Sequence, residues 1–390
     1  VQILLLRHYP LVEGPSMRTY AEAIAFGLAA RGHKVRTLTA PVLFGGLFPV
    51  GQPLAKWLGY LDQFLIFPPL LWLHAWRLPA GSLCVLADQA LGPWFSWLAG
   101  RPHLVHCHDL LALEAALGQQ PFHQLGRSGR AYQRWICSGF RRARCFLSVS
   151  AATQATLEPH LATPPLLSAV LYNPLSTRFV PLPSAQAAAV VSTALPQLGS
   201  QSFLFHIGRN WYKNRLGVLA IWEQLRSLGV PVELVLVGAP NQAMRAWLQA
   251  RPQLSSHLHV LEGPSNALVI ALYNRAAALL FPSHAEGFGW PILEALACGC
   301  PVVTTGLAPM TEVGGTAATY IPPAPPPSAS LDHWAAEAAL VLQQVLQRTP
   351  PEQSQARQLG LVQAARFSSD SWLQQLEAHY QHALALQEAC

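Results

Sequence analysis

Two carboxylates with seven residues between them, Glu286 and Glu294, bracket the stretch of this chain richest in chemistry: Glu286-Gly-Phe-Gly-Trp-Pro-Ile-Leu-Glu294. Gly287 and Gly289 let backbone N–H groups approach a ligand closely. A helix opening with Pro291 and closing at Gly299 sets its N-terminus behind them, which favours an anion such as phosphate. A carboxylate beside an anion site serves hydroxyls better than phosphate, so these residue types fit a ligand carrying both phosphates and diols. A nucleotide sugar meets that description. The alternative is that both glutamates lie on the surface of an ordinary strand-helix crossover, because a glycine-rich loop alone is a weak signal.

A second cluster, Gly208-Arg209-Asn-Trp-Tyr-Lys213-Asn214, follows an apolar run and precedes a helical pattern. Cations at such a turn suit a phosphate, although solvated surface charges give the same pattern. A third, His103-Leu-Val-His-Cys-His-Asp109, sets His106 and His108 on one face of a strand. It reads as a metal-ligand pair or as core or surface histidines bonded to backbone.

These residues need strands and turns to position them. Val1–Leu6, a helix from Ser16 to Ala30 and Lys34–Thr39 read as an opening βαβ unit. Leu83–Ala87, Cys145–Val149 and Val170–Asn173 read as further strands, and Ser176–Gln201, rich in Pro, Ala and Ser, as an interdomain linker. Phe203–Ile207, Val232–Val237, Leu258–Leu261, Ala278–Phe281 and Pro301–Thr304 continue the strand series, followed by helices from Leu331 to Gln347, Gln353 to Ala365 and Ser371 to Glu388. Trp57–Leu78 is long enough for a membrane span, but Asp62 and Pro68-Pro69 interrupt it, so the expectation is a core helix with an interfacial aromatic face.

With 390 residues, 51% hydrophobic and 11% charged, the chain reads as globular, with room for two domains, and not as a disordered one. Its charge is uneven: through Leu175 there are fourteen Lys/Arg against seven Asp/Glu, and beyond it eleven against twelve. The basic half points to an anionic partner such as a phospholipid surface or a phosphate-bearing acceptor. Arg127, Arg130, Arg134, Arg141, Arg142 and Arg144 lie in a stretch without an acidic residue, a basic amphipathic pattern or a solvated helix face. No nucleic-acid reader motif accompanies them. Seven cysteines without paired C-x-x-C spacing imply a reducing compartment, and the short apolar start is no signal peptide, so a cytoplasmic location is expected.

The run from Glu286 to Glu294, continued by Ala295-Leu-Ala-Cys-Gly-Cys-Pro-Val, resembles the signature of the retaining GT-B glycosyltransferases of family 4. The resemblance extends over essentially the whole chain. It implies an α/β architecture of two Rossmann-like doubly wound domains facing a central cleft: residues 1–178, completed by a C-terminal helix at 370–390, a linker at 179–201, and a nucleotide-sugar domain at 202–369. It implies that Glu286 meets donor-sugar hydroxyls, that Glu294 binds the ribose diol, and that Gly287, Phe288, Gly289 and Leu293 line the donor. Gly208, Arg209 and Lys213 would clamp the pyrophosphate, the Gly263 turn would face the nucleobase, and His108 would contact the sugar. The family's glycine pair in the first loop is here Gly14-Pro15-Ser16, and Pro15 has no N–H, so that phosphate contact falls to Gly14 or Ser16.

The implied activity is transfer of a hexosyl-type sugar from a nucleotide-diphosphate donor to a glycan, lipid-linked or small-molecule acceptor. Configuration would be retained, with no metal and no cofactor, the leaving phosphate assisting deprotonation of the acceptor. A sugar-nucleotide epimerase on the same fold, or a nucleotide-sugar-binding protein without turnover, are the alternatives. The expected partners are a nucleotide sugar, its acceptor and an anionic membrane contacted peripherally on the cytoplasmic face, not nucleic acid.

Overall fold

Strands covered on both faces need no alternation of polar and apolar residues, and the short apolar runs of this chain meet that condition. In the computed structural model, which describes every residue except 50, 99 and 390, they form two six-stranded, wholly parallel sheets. The first contains β1 (Gln2–Leu6), β2 (Lys34–Leu38), β3 (Ser82–Leu86), β4 (His103–Cys107), β5 (Cys145–Ser148) and β6 (Leu167–Val170), in the order β2-β1-β3-β4-β5-β6. The second contains β7 (Phe203–Ile207), β8 (Glu233–Val237), β9 (Leu258–Leu261), β10 (Ala278–Phe281), β11 (Val302–Thr305) and β12 (Thr319–Ile321), in the order β12-β11-β10-β7-β8-β9.

The order fixes where a ligand site can form. In the second sheet the chain runs outward from β7 through β8 and β9, then returns to pair β10 beside β7 before running the other way. That is the doubly wound arrangement, and the loops after β7 and β10 diverge at its switch point. In the first sheet β1 lies between β2 and β3, so the loops after β1 and β3 diverge in the same manner.

The chain separates into two compact units, one of residues 1–120, 124–172 and 370–390, the other of residues 121–123 and 173–369. The C-terminal helix Ser369–Glu388 belongs almost wholly to the first unit, where Trp372, Leu376, Tyr380 and Ala383 join Ile3, Leu5 and Ile24 in a buried cluster. Gly27 gives Leu373 room at that contact, since a Cβ there would displace the leucine methyls. Arg31 and His33 bond Glu377 across the same contact, at 2.6 and 2.8 Å.

Two expectations change and a third gains detail. The last strand of the first sheet is β6, Leu167–Val170, three residues before the expected Val170–Asn173, because its register pairs Cys145 with Leu167. The segment 179–201, expected as a linker, carries a helix at Ser184–Ala194 that packs on helix Asn266–Arg275 and belongs to the second unit. Its buried face is Ala187 and Val191, too small to stand out as an apolar stripe, and Asn274 ties down the approach by accepting from Leu182 N–H and donating to Val180 O. The aromatic segment is helical from Pro53 to Leu61, makes a π-turn over Asp62–Ile66 and continues from Phe67 to Trp76. Pro68 and Pro69 follow directly on that π-turn, so the break in regular i→i−4 bonding falls where the chain has two residues without an N–H. No helix among the described residues is long and apolar enough to cross a membrane.

Candidate functional site

The turn after β7 is built to deliver a lysine. Gly208 has φ 125°, and a Cβ there would lie 2.9 Å from Lys213 Cγ, so only glycine lets the lysine stem cross the turn. One helical turn, Trp211–Lys213, leads to Asn214, whose left-handed φ of 50° Asn tolerates better than most residues. The Asn214 side chain caps helix Arg215–Ser227 by accepting from Gly217 N–H at 3.1 Å and donates to Pro282 O at 3.0 Å. His284 N–H donates to Tyr212 O at 2.8 Å, so the loops after β7 and β10 are stitched together at the switch point.

Across that seam, Lys213 Nζ donates to both carboxylate oxygens of Glu286, at 2.7 and 2.9 Å. The two side chains are 11% and 6% exposed, so solvent screens the pair weakly. The ammonium also lies 4.6 Å from the Phe281 ring centroid. Arg209 is exposed, has no hydrogen-bond or ion-pair partner among the described residues, and runs past Gly238, where a Cβ would collide with its stem. The turn thus offers one neutralised and one uncommitted cation.

Glu294 lies on helix Trp290–Ala297, which Gly289 opens with φ 105°. Tyr273 OH donates to its Oε2 at 2.9 Å. Burial pushes the Glu294 carboxyl up to about 7, against the Tyr273 hydrogen bond and the charges of Arg178 and Lys213. Phe288 is buried edge-on to Trp290 and Phe367, and Leu293 is fully buried, which leaves its side chain to the core and only backbone for a ligand. Gly287 lies in the same loop as Glu286, between β10 and the helix. Gly263, after β9, has φ 63° and open space where a Cβ would be.

In the first unit, His108 follows β4 and is buried, with Nε2 2.9 Å from Ala87 O. That bond requires an Nε2–H, and burial holds the imidazole below its usual pKa, so His108 is neutral with its lone pair on Nδ1. Asp109 accepts from Leu111 N–H and fixes the following turn. His106 is a core residue between Tyr20 OH at 2.8 Å and Tyr380 OH at 2.7 Å. No group of three metal-ligating side chains occurs among the described residues. Gly14 caps helix Pro15–Ala30 with extended backbone, and Ser16 is exposed in its first turn.

Sequence reasoning missed His8 and Asp88, which follow β1 and β3 at the first sheet's switch point and meet at 2.9 Å. Burial opposes both charges, but their hydrogen bond and mutual attraction outweigh it, raising the His8 pKa and lowering that of Asp88. It also missed Tyr273 and Arg215, whose guanidinium donates to Gly238 O and Ala239 O at 2.6 and 2.7 Å. The strand order would have pointed to His8 and Asp88, because residues after the two diverging strands face one crevice. Nothing in the spacing marks Tyr273 or Arg215.

Residues 17–179 match the family model described as Glycosyltransferase Family 4, and residues 201–336 match the model described as Glycosyl transferases group 1. The Escherichia coli serotype-specific mannosyltransferase WbdA is 30% identical over 140 residues, which is 35% of this chain and 17% of that protein. The chain therefore spans only a small part of that relative's length. Glycogen synthase of Mycobacterium tuberculosis strain H37Rv is 26% identical over 274 residues, covering 61% of this chain and 60% of that one. The crystal structure of Anabaena HepE in complex with UDP and glucose superimposes with a TM-score of 0.69 at 17% identity, over 97% of this chain and 98% of that one. With both sheets matched in fold and most of the sequence matched in family, the chain belongs to glycosyltransferase family 4, the group 1 glycosyl transferases, and has the GT-B fold.

Proposed function

We propose that this chain transfers a hexosyl-type sugar from a nucleoside-diphosphate donor to a carbohydrate or lipid-linked acceptor, with retention of configuration and without a metal ion. The observation that carries the reading is the Lys213–Glu286 pair at the β7/β10 switch point, with Arg209 uncommitted beside it and Glu294 on the helix behind. A pyrophosphate entering this turn gives Lys213 a second anionic partner and meets the Arg209 guanidinium. Lys213 and Arg209 would then both face the leaving diphosphate and stabilise its charge electrostatically. Glu286 is then available to hydroxyls of the transferred sugar, and Glu294 to a ribose diol.

Retention follows if acceptor and leaving phosphate share one face of the sugar, the phosphate oxygen taking the acceptor's proton as the C–O bond to the donor breaks. The two carboxyls of the second-unit site are both engaged, Glu286 by Lys213 and Glu294 by Tyr273, which favours a reaction without a side-chain nucleophile. His108 is proposed to contact the donor sugar from the acceptor side, and the His8–Asp88 pair to serve the acceptor. The relative WbdA, named a mannosyltransferase, and the HepE structure, in complex with UDP and glucose, support the donor class. The proposed location is cytoplasmic, on the membrane face, in keeping with the six free cysteines among the described residues.

The deciding experiment is a donor panel of UDP-, GDP- and ADP-sugars, with release of the nucleoside diphosphate measured with and without acceptor and the product's anomeric configuration read by NMR. Acceptor-dependent release with retained configuration is expected. Conversion of the donor into its epimer would establish the epimerase alternative, and tight binding with no release would establish a binding protein.

A further inference from the structure

The segment Pro53–Trp76 has one face in the core and one in solvent, and the outer face is unusually apolar. Phe67, Leu71 and Ala75 pack inward, whereas Leu54, Trp57, Leu61, Leu65, Trp72 and Trp76 recur at spacings of three, four or seven residues and are exposed. Trp57 and Trp76 are each 64% exposed and Leu65 65%, too much apolar surface in one row for a side that water alone covers. Trp72 and Trp76 stack at 6.3 Å.

Two further elements adjoin this row. Phe64 and Tyr60 contact Trp135 and Tyr132, at ring separations of 4.6 and 5.8 Å, so helix Arg127–Phe140 lies alongside. That helix exposes Arg127, Arg130 and Arg134, which recur at three and four residues. Asp62, at the π-turn, is fully buried and accepts from the N–H groups of Leu43, Phe44 and Gly45 at 3.1, 3.0 and 2.9 Å. It thereby fixes a loop whose Leu43 and Leu47 are also exposed. It is the one carboxylate from Pro41 to Arg77, and none occurs from Ala115 to Leu157.

We propose that this composite face docks on an anionic lipid bilayer, the tryptophan and leucine row entering the interfacial region while the arginine row meets lipid phosphates. Charge complementarity selects the occupant: cations flank the apolar row, and its single carboxylate is buried under four hydrogen bonds, the fourth from Tyr9 OH at 2.6 Å. Tyr9 adjoins His8, so Asp62 ties the docking face to the C-terminal edge of the first sheet, where an acceptor is expected to bind. The proposal deepens the transferase reading by naming the surface at which a lipid-linked acceptor would be met; the docking itself stands on this geometry alone.

The test is flotation of the full chain with vesicles of phosphatidylcholine alone or mixed with phosphatidylglycerol, at low and high salt. Flotation is expected only with phosphatidylglycerol and should weaken as salt rises. Joint Arg127→Glu, Arg130→Glu and Arg134→Glu should lower the partition coefficient on the order of 100-fold or more. Joint Trp57→Ser, Leu65→Ser and Trp76→Ser should lower it roughly tenfold or more. Melting temperature and nucleotide-sugar binding should stay at wild-type values in both variants, since the substituted residues are exposed and lie in the first unit. A wild type that remains in solution with anionic vesicles at low salt overturns the proposal, as does equal flotation of both variants. So does a wild-type dimer that the tryptophan variant dissolves in light scattering, which would assign the face to a second copy. Flotation without any sugar transfer would instead refute the transferase reading and leave the surface standing.

Discussion

At the scale of single residues, the argument turns on Lys213 and Glu286 neutralising each other in a nearly dry turn. Removing one partner leaves the other charge buried, so Lys213→Met should destabilise the chain by roughly 3 kcal/mol, with Lys213→Met/Glu286→Gln recovering part of that loss in a denaturant titration. Equal stability of single and double variants would disprove the coupling. Turnover should respond differently: Glu286→Gln and Arg209→Ala should each lower kcat on the order of 10²–10³-fold, because each removes a group proposed to face the donor as charge develops on it. Near-wild-type rates in a folded Arg209→Ala would remove that residue from the site. Glu294 gives a pH signature. Its carboxyl, ordinarily near 4.5, is raised to about 7 by burial. Between those values the native chain holds a proton that the unfolded chain has lost, so stability from this group falls as pH rises through the window. Donor binding to the carboxylate form should release that proton, so affinity for a nucleotide sugar should climb as pH approaches about 7 and then level. Glu294→Gln should flatten both slopes, as read by thermal melts and calorimetric titration.

At the scale of elements, polar side chains at strand ends and turns set the geometry more than the strands themselves. Asn214 combines a left-handed backbone, a helix cap and a bond to Pro282 O, joining the two loops that carry Lys213 and Glu286. Asp62 does comparable work in the first unit, where one buried carboxylate holds a π-turn, a loop and Tyr9. Burial opposes its charge, but the Tyr9 hydroxyl and the three backbone N–H groups outweigh that and hold its pKa below the usual range. Its stabilisation is therefore present above the unfolded value near 3.8 and disappears as pH falls through the lowered native value. Asp62→Ala strands three backbone donors and should cost about 3–5 kcal/mol in denaturant unfolding. A loss below 1 kcal/mol would mean that the loop relaxes onto water and that Asp62 does not hold it.

At the scale of the whole molecule, two doubly wound sheets each place a charged pair where their connections reverse: Lys213 with Glu286, and His8 with Asp88. The site in the second unit combines Lys213, Arg209 and a helix start with a lysine-paired carboxylate, not a cage of carboxylates, so transfer should proceed undiminished in EDTA. Abolition by the chelator with rescue by Mg²⁺ or Mn²⁺ would contradict that chemistry.

The sequence by itself determined most strands of both sheets, since Phe203–Ile207, Leu258–Leu261 and Ala278–Phe281 appear where apolar runs end in Gly, Pro or charge. It also marked Gly208, Arg209, Lys213, Glu286 and Glu294 as two local patterns, the residues proposed to hold the donor, and folding sets Lys213 against Glu286. What depended on contacts between distant residues was decided only by the tertiary structure. The helix Ser184–Ala194 is held by an alanine-sized face against Asn266–Arg275, and alanine carries too little contrast to be read as a stripe. The pairing of His8 with Asp88, eighty residues apart, requires β1 beside β3. The adjacency of Tyr60 and Phe64 to Tyr132 and Trp135, which turns an aromatic segment and a basic segment into one surface, is likewise a product of packing, because helical periodicity fixes a face on each helix but never which other helix will lie beside it.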